Sequence, residues 1–181
     1  MDCKKLRSYL DECPEMSDYR FYIEDLLRSK EHILSDEEER LLSLAGDFSD
    51  GAHDIFTMLN NADLRFSKIE HNGKEYPLTH ASYIEYMQSE DRELRKKAYE
   101  AFYEEFKQHK NTIAATYATS VKKDVFYAKA RKFDSPIESA LFSDDVDVSV
   151  YDKLISDIHR HLPTMHRFVS LRKRLLGYDE L

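Results

Sequence analysis

Apolar residues recur along most of the chain at the three- and four-residue spacing of an amphipathic helix. Leu6 and Leu10 mark a first helix, which Pro14 ends. A second helix is predicted from about Ser17 onward. Its apolar face consists of Tyr19, Tyr22, Ile23, Leu26 and Leu27. The pattern therefore predicts a helical N-terminal part.

A third helix has a clear start signal in the stretch SDEEERLLSLAG. Ser35 is its predicted N-cap, and Glu38, three residues later, completes a capping box. The acidic run is interpreted as part of this cap rather than as a cation site, because acids in a first turn complement the helix dipole. Gly46 is the predicted C-terminal cap. A fourth helix is predicted over about residues 51–62.

The hydrophobic period changes between residues 66 and 78. The dipeptide Asn72-Gly73 separates two short runs there. These runs contain Phe66, Ile69, Tyr76 and Leu78. Asn-Gly between short apolar runs indicates a β-hairpin, because both residues tolerate positive φ. This hairpin is the only strand structure that the sequence predicts.

The sequence after the hairpin is predicted to be helical again. Thr79 caps a short helix, and one long helix is predicted from about 91 to 132, where an apolar face steps by four or seven residues. Ser135-Pro136 begins a further short helix.

A last helix is predicted from about Val148 to Leu176. It is predicted to be interrupted at Pro163 and ended by Gly177.

The predicted fold class is all-α, an elongated multi-helix segment with one long helix (about 91–132) and one small β-hairpin (about 66–78). Three parts are expected: an N-terminal helical part over 1–64, a hairpin insertion over 65–79, and a long-helix part over 80–181.

Composition narrows the function classes. Of 181 residues, 34% are charged, the formal net charge is −8, and Gly and Pro occur four times each, which favours long helices. An acidic chain does not supply the basic surface that nucleic acid requires, and it is disfavoured at an anionic membrane. No nucleic-acid or membrane partner is predicted.

Neither a signal-like apolar segment nor a membrane-length apolar run is present, so the expected location is cytoplasmic.

The two cysteines, Cys3 and Cys13, are expected to be free thiols. Ten residues apart on a helix they are separated by about 15 Å, too far for a disulfide. Neither cysteine has a base marked by the sequence, so no nucleophilic role is predicted.

The stretch HRHLPTMH, residues 159–166, raises the question of a metal site. In a helix, His159 and His161 face opposite sides, and His159 and His166 share a face two turns apart. One metal ion needs ligands about 2 Å from a common centre, which this helix alone cannot supply. A weaker alternative is a metal-binding bundle in which carboxylates of another helix join His159 and His166.

The familiar catalytic motifs are absent from the sequence. No histidine is followed by glutamate as in HExxH, and the nearest shape, His53-Asp54-Ile55-Phe56-Thr57, lacks the second histidine. Asp50-x-x-His53 is only a distant relative of the Glu-x-x-His pair of di-iron bundles. No catalytic residue and no metal ligand is predicted in this chain, and substrate-binding residues stay unknown.

Four stretches together resemble one known family, oligoendopeptidase F of the thimet-type zinc oligopeptidases. They are YRFYIEDLLRSKEHILSDEEERLLS (19–43), IFTMLNNADLRF (55–66), VFYAKARKFDSPIESALF (125–142) and VYDKLISDIHRHLPTMHRFVSLRKRLLGYDEL (150–181). The hairpin and the long helix between them fit the same register. The resemblance covers nearly the whole chain, although it includes no catalytic signature.

The resemblance implies a mostly helical zinc endopeptidase that admits short peptides to a deep internal channel. In this family an HExxH helix and a downstream glutamate hold the zinc, and the glutamate of the motif activates a water. This chain has no HExxH. It is therefore expected to be an N-terminal-to-middle fragment that is inactive alone, with zinc in the parent enzyme and none in this chain.

The same resemblance sets the expected partners. They are short peptides, through the parent enzyme, and the remaining part of the same polypeptide, on which residues 80–181 would pack. The hairpin and the long helix would form part of the channel wall.

A stand-alone helical protein-interaction module without catalysis is the alternative. An isolated fragment is expected to be marginally folded or to self-associate, because its apolar faces would be exposed.

Overall fold

The structure, a computed structural model, describes residues 3–179, except for the side chains of Cys3, Lys4 and Asp11. It is mostly helical with one two-stranded antiparallel sheet, which confirms the all-α class with a small hairpin. The α-helices are α1 (Cys3–Glu12), α2 (Arg20–Ser29), α3 (Asp36–Ser49), α4 (Gly51–Met58), α5 (His80–Met87), α6 (Arg92–Gln108), α7 (Lys110–Ala130), α8 (Pro136–Phe142) and α9 (Val148–Leu176). The strands are β1 (Ile69–His71) and β2 (Lys74–Tyr76). Short 3₁₀ segments cover Pro14–Tyr19 and Lys30–His32.

The chain divides into two units. One unit consists of the described residues up to His32 together with those from Tyr127 onward, and the other is Ile33–Phe126. The sequence predicts a different division, with boundaries after residues 64 and 79, where the hydrophobic period changes. That division stays a prediction.

The core of the Ile33–Phe126 unit lies where the hairpin packs on α6. Leu94, Ala98 and Phe102 follow one another at four-residue spacing on α6, and all three are buried. Ile69 of β1 and Leu78 after β2 complete this cluster. Because i and i+4 positions share a helical face, α6 presents one continuous apolar stripe to the hairpin.

The hairpin has the turn that the sequence predicts. Ile69 pairs with Tyr76 and His71 with Lys74, so Asn72 and Gly73 form a two-residue loop. Their φ angles are 50° and 72°, the positive values that a tight hairpin of this length requires. The prediction over residues 66–78 is confirmed.

Helix α3 begins as predicted and ends later. The Ser35 side chain accepts the backbone N–H of Glu38, and the Glu38 carboxylate accepts the N–H of Ser35 at 2.9 Å. The prediction that Gly46 caps this helix is wrong, because α3 continues to Ser49. The Ser49 hydroxyl donates to the Gly46 carbonyl at 3.0 Å, which helps to hold the extra turn.

The predicted fourth helix, over about 51–62, changes type near its end. Regular α-helix α4 stops at Met58, and Leu59–Asp63 forms a π-helical turn. The backbone N–H of Leu64 accordingly donates to the carbonyl of Leu59, five residues back, at 2.9 Å. Both Leu59 and Leu64 are buried, and the wider turn keeps both side chains in the interior.

The long helix predicted over about 91–132 is divided into α6 and α7 at His109. The N–H of His109 donates to Phe106, three residues back, rather than to the residue four back, which tightens the turn. The N–H of Ile113 again donates to the His109 carbonyl, so the regular pattern resumes at once. One residue therefore separates two helices where the sequence pattern predicts one.

Helix α9 continues through Pro163, so the predicted interruption there is wrong. Proline removes one backbone N–H without forcing a long helix to end. The predicted stop at Gly177 is confirmed: its φ is 68°, and the N–H of Tyr178 donates to the Lys173 carbonyl. Among the described residues, no helix combines the length and apolar composition that crossing a bilayer requires.

The unit that contains α1 and α2 has a small core of its own. Leu10 of α1 is buried against Ile23 and Leu27 of α2. Within the same unit, the ring of His32 stacks on that of Phe133, with 3.7 Å between centroids and 9° between planes.

Candidate functional site

The histidines of the HRHLPTMH stretch do not converge on α9. His159, His161 and His166 are all exposed on this one helix. His159 and His166 share a face about 10 Å apart along the axis, far beyond the reach of one ion. Nor does any group of three or more His, Cys, Asp or Glu side chains suited to a metal occur within residues 3–179, as far as the structure describes them.

Asp50 and His53, the pair compared above with the Glu-x-x-His ligands of di-iron bundles, contact different residues. Asp50 connects α3 to α4, and its Oδ1 lies 3.4 Å from Nζ of Lys123. His53 is exposed and lines a small pocket of about 340 Å³ with Phe56 and Tyr117. The two side chains thus make different contacts, and neither belongs to a metal-ligating group among the described residues.

Cys13 is the cysteine whose side chain the structure describes, and its thiol is free. The thiol donates to Oε2 of Glu15 at 3.1 Å. That hydrogen bond lowers the pKa of the Glu15 carboxyl. The contact supplies no cationic partner of the kind that activates a nucleophilic cysteine, so no catalytic role is assigned to Cys13. The side chain of Cys3 lies outside the described residues.

A buried histidine, which sequence reasoning missed, links the hairpin to α6. His71 is 9% exposed, and its Nε2 lies 2.6 Å from Oδ2 of Asp91. An ionised carboxylate only accepts, so Nε2 carries the proton. Asp91 also caps α6, because its Oδ1 accepts the N–H groups of Glu93 and Leu94. Twenty residues separate the pair in sequence, and no local motif signals it.

The hydrogen bond from His71 lowers the pKa of the Asp91 carboxyl, and the Leu94 and Glu93 amides act in the same direction. Nζ of Lys97 adds a second link, because it donates to the Glu70 carbonyl at 2.8 Å. The hairpin is thus held on α6 by two polar contacts as well as by its apolar face.

Aromatic rings form the most extended feature near this junction. Phe102 lies between Phe66 and Tyr83, with centroid distances of 4.6 Å and 4.2 Å and planes within 18° of parallel. Burial raises the pKa of the Tyr83 hydroxyl, and the nearby Tyr103 hydroxyl raises it further. The Tyr83 hydroxyl is therefore neutral at physiological pH.

An open groove of about 790 Å³, here called the tyrosine groove, runs along α6 and α7. Its lining includes Tyr99, Phe102, Tyr103, Phe106, Ile113 and Tyr117. Aromatic side chains bury apolar surface, and tyrosine hydroxyls supply hydrogen bonds at the edge. The groove can therefore bind apolar side chains, but its chemistry is that of contact rather than of bond cleavage. Its signal in the sequence is the i, i+4 spacing of Tyr99 with Tyr103 and of Phe102 with Phe106.

Comparisons with known proteins show which families the sequence of this chain matches. Residues 1–66 match the family described as Oligopeptidase F, and residues 85–181 match Peptidase family M3. Oligopeptidase PepF of Bacillus subtilis (strain 168) is 40% identical over 178 residues, which is 98% of this chain and 27% of that protein. The chromosomal oligoendopeptidase F of Lactococcus lactis subsp. cremoris is 40% identical over 173 residues, 95% of this chain and 29% of that protein.

A comparison with solved structures agrees with these sequence matches. Oligoendopeptidase-F from Enterococcus faecium superposes with a TM-score of 0.88 at 38% identity, over 100% of this chain and 36% of that chain. This chain spans less than a third of the length of the two sequence relatives.

Proposed function

Because the chain belongs to peptidase family M3, we propose that it is the N-terminal-to-middle segment of a cytoplasmic zinc metalloendopeptidase that hydrolyses short oligopeptides. One observation carries the proposal. A single chain matches Oligopeptidase F and Peptidase family M3 in succession, and it superposes along its whole length on an oligoendopeptidase. The relatives are more than three times as long, so the activity is proposed for the longer polypeptide.

The described residues of this chain do not fit the zinc ion itself. A catalytic zinc site takes three protein ligands around one centre, and the side chains that the structure describes include no such set. Zinc in such an enzyme polarises the scissile carbonyl and activates a water. We assign no step of hydrolysis to this chain, and we assign the zinc to the remaining part of the polypeptide.

The role proposed for this segment is scaffold and channel wall. Helix α6 carries the hairpin on one face through buried Leu94 and Ala98, and its tyrosines line the groove. A rigid wall with an aromatic surface restricts which peptides enter and contacts their apolar side chains. Two polar contacts support this role, because His71 of the hairpin bonds to Asp91, the N-cap of α6, and Lys97 of α6 donates to the Glu70 carbonyl.

A chimera tests the proposal. The 178 matched residues of B. subtilis PepF are replaced by those of this chain, which leaves the rest of that relative in place. We expect hydrolysis of an internally quenched oligopeptide and no cleavage of a folded protein. The 181-residue chain alone is expected to be inactive. A chimera that folds, as judged by circular dichroism, but cleaves no peptide would contradict the proposal.

The wall assignment has its own test in the same chimera. Removing the hairpin, residues 66–78, is expected to relax the upper limit on peptide length. A matched variant with Glu75→Gln leaves the hairpin in place and is expected to keep that limit. Unchanged size selectivity after the deletion would contradict the wall assignment while leaving the peptidase assignment intact.

The alternative is a stand-alone helical protein-interaction module. The exposure of large apolar residues along α9, such as Ile158, Met165 and Phe168, fits this module, and it fits equally a segment that packs on the rest of a longer polypeptide. The sequence of the gene beyond the codon for Leu181 separates the two. An HExxH-encoding region supports the peptidase, and its absence supports the module.

A further inference from the structure

The loop of the hairpin brings a side-chain amide next to an unshielded backbone nitrogen. Asn72 and Gly73 are both exposed, and a Cβ built on Gly73 would meet no described atom within 4 Å. Glycine has no side chain, so other groups can approach its backbone closely. The Gly73 nitrogen and Cγ of Asn72 are the two ends of a five-atom segment, and a bond between them would close a five-membered ring.

The other asparagines of the chain have different surroundings. The sequence contains four asparagines, and only Asn72 is followed by glycine. Asn60 and Asn61 lie in the π-helical turn, and Asn111 lies in α7. Each of these three precedes a residue whose Cβ crowds the backbone nitrogen, and each lies in helical backbone. They are therefore internal controls for any reaction at Asn72.

We propose that Asn72 is a site of spontaneous covalent modification, at which deamidation and isomerisation release the hairpin from α6. The reactants are the chain itself and water. Two groups held in one molecule react far faster than the same groups free in solution. The proposal does not rest on the peptidase function.

The first step closes the ring. The Gly73 nitrogen attacks Cγ of Asn72 and gives up its proton to solvent. A new bond forms between these two atoms, the bond from Cγ to the side-chain nitrogen breaks, and that nitrogen leaves as ammonia. The product is a succinimide.

Water opens the succinimide in the second step. Opening at the side-chain carbonyl gives aspartate at position 72. Opening at the main-chain carbonyl gives isoaspartate, in which the backbone passes through the former side chain. One water is consumed and one ammonia is released in total, so the reaction needs no oxidant, reductant or metal.

Isoaspartate adds one carbon atom to the backbone of the loop. That loop has only two residues, since His71 pairs with Lys74 on either side of it. Loop length and turn type fix the register of a hairpin. A two-residue loop has no slack for a further backbone atom, so the pairing of His71 with Lys74 is lost.

Both products also place a carboxylate where the Asn72 carboxamide lies. Nδ2 of this carboxamide is 3.1 Å from Nε2 of His71, and that same Nε2 is 2.6 Å from Oδ2 of Asp91. A second carboxylate there repels Asp91 and competes with it for the Nε2 proton. The His71–Asp91 contact is one of the two polar links between the hairpin and α6, so its loss loosens the hairpin.

The docked hairpin slows the reaction. Its loop has φ angles of 50° and 72°, and the Asn72 carboxamide rests against His71. Ring closure needs a near-attack geometry, which the side chain reaches only when it leaves His71 and the loop rotates. The rate therefore follows the fraction of molecules in which the hairpin is locally open. Removing the partner of His71 on α6 should raise that fraction.

The closing experiment incubates the 181-residue chain at mildly alkaline pH and follows all four asparagines by peptide mass spectrometry. Trypsin cuts after Lys68 and Lys74, so Asn72 lies in the short peptide 69–74. We expect this peptide to gain the mass difference between NH and O, and to be methylated by protein isoaspartyl methyltransferase. A sample digested without incubation sets the baseline. Conversion of Asn72 no faster than that of the other three asparagines overturns the proposal.

Asp91→Ala tests the dependence of the rate on docking. It is expected to convert Asn72 about tenfold faster, because one lost hydrogen bond to a charged group raises the open fraction by about that factor. Asp47→Ala, which removes the same charge from an exposed position of α3, is the matched control and is expected to leave the rate unchanged. Equal rates in Asp91→Ala and the wild type overturn the role of docking, and this result would also follow if the wild-type chain were already unfolded there.

Release of the hairpin is measured by hydrogen exchange of residues 69–76 before and after incubation. We expect faster exchange in the aged wild type. Asn72→Gly keeps a loop that accepts positive φ and lacks the carboxamide, so its exchange is expected to stay the same after incubation. Fresh Asn72→Asp carries the new charge without the longer backbone and is expected to lie between fresh and aged wild type. Unchanged exchange in aged wild type that has converted Asn72 overturns the release of the hairpin.

Discussion

The Oδ2 atom of Asp91 lies 2.6 Å from Nε2 of His71, and this contact joins the turn of the hairpin to the first turn of α6. The other carboxylate oxygen caps the helix. One side chain therefore stabilises two elements, and its replacement can separate the two contributions.

Asp91→Ala is expected to destabilise the protein more than Asp91→Asn. Alanine removes both the cap and the partner of His71, whereas asparagine is as good an N-cap as aspartate and loses only the charge. The measurement is the urea midpoint of unfolding. Asp47→Asn, an exposed change in α3, is the control and is expected to leave the midpoint unchanged. Equal losses for alanine and asparagine would contradict the capping role.

Stability is expected to fall in acid because of the same carboxyl. Its pKa in the folded protein is lowered, first by His71 and then by the helix amides. A group with a lowered folded pKa binds fewer protons in the native state than in the unfolded state, so stability rises with pH. The contribution is complete above the unfolded value of about 3.9 and is lost as pH falls through the folded pKa.

The check is a series of urea midpoints between about pH 6 and pH 2.5, a range that spans this titration. Glu15 and Asp147 also have lowered pKa values, so the wild-type slope includes their contributions. The slope lost in Asp91→Asn isolates this carboxyl. An identical slope in both proteins would contradict the role of Asp91.

Two local sequence signals, the capping box and the hairpin turn, predicted local structure correctly. Ser35 and Glu38 are three residues apart, so the capping box depends on nothing beyond its own turn. Asn72-Gly73 likewise fixes its hairpin, because positive φ is a property of those two residues. Both predictions hold because the energy that decides them is contributed within a few residues.

Contacts between residues that are far apart in the sequence were not predictable in the same way. Nothing in the sequence near His71 indicates Asp91, and the pairing exists only after the hairpin folds onto α6. The break at His109 and the π-helical turn at Leu59–Asp63 were missed for a related reason. An apolar period of 3.6 tolerates one tightened or widened turn without changing which face is apolar.

Phe102→Ala is expected to cost about 3–5 kcal/mol of unfolding free energy, because it leaves a cavity between two rings that Phe102 now separates. Phe102 is only 8% exposed. Tyr99→Ala, on the exposed side of the same helix, is the control and is expected to cost less than about 1 kcal/mol. The comparison uses urea unfolding. Similar losses for both variants would show that the ring stack contributes no more than surface packing.

His32 makes two separable contributions in the other unit. Its ring stacks on Phe133, and its Nδ1 lies 2.8 Å from the Arg131 carbonyl. A carbonyl only accepts, so Nδ1 carries the proton. His32→Phe keeps the stack and is expected to cost about 1 kcal/mol for the lost hydrogen bond. His32→Ala loses both and is expected to cost about 2 kcal/mol. Thermal unfolding distinguishes them, and equal losses would assign the whole effect to the hydrogen bond.

Two glycine-to-alanine substitutions are expected to have opposite signs. A Cβ at either Gly46 or Gly73 would meet no atom within 4 Å, so backbone conformation alone decides the outcome. Gly46 lies inside α3, where alanine is the better helix former and should stabilise by about 0.5–1 kcal/mol. Gly73 has a φ of 72°, where alanine is strained and should destabilise by about 1–2 kcal/mol. Urea unfolding of the two variants measures both values. A destabilising Gly46→Ala would contradict the helical conformation of Gly46 inside α3.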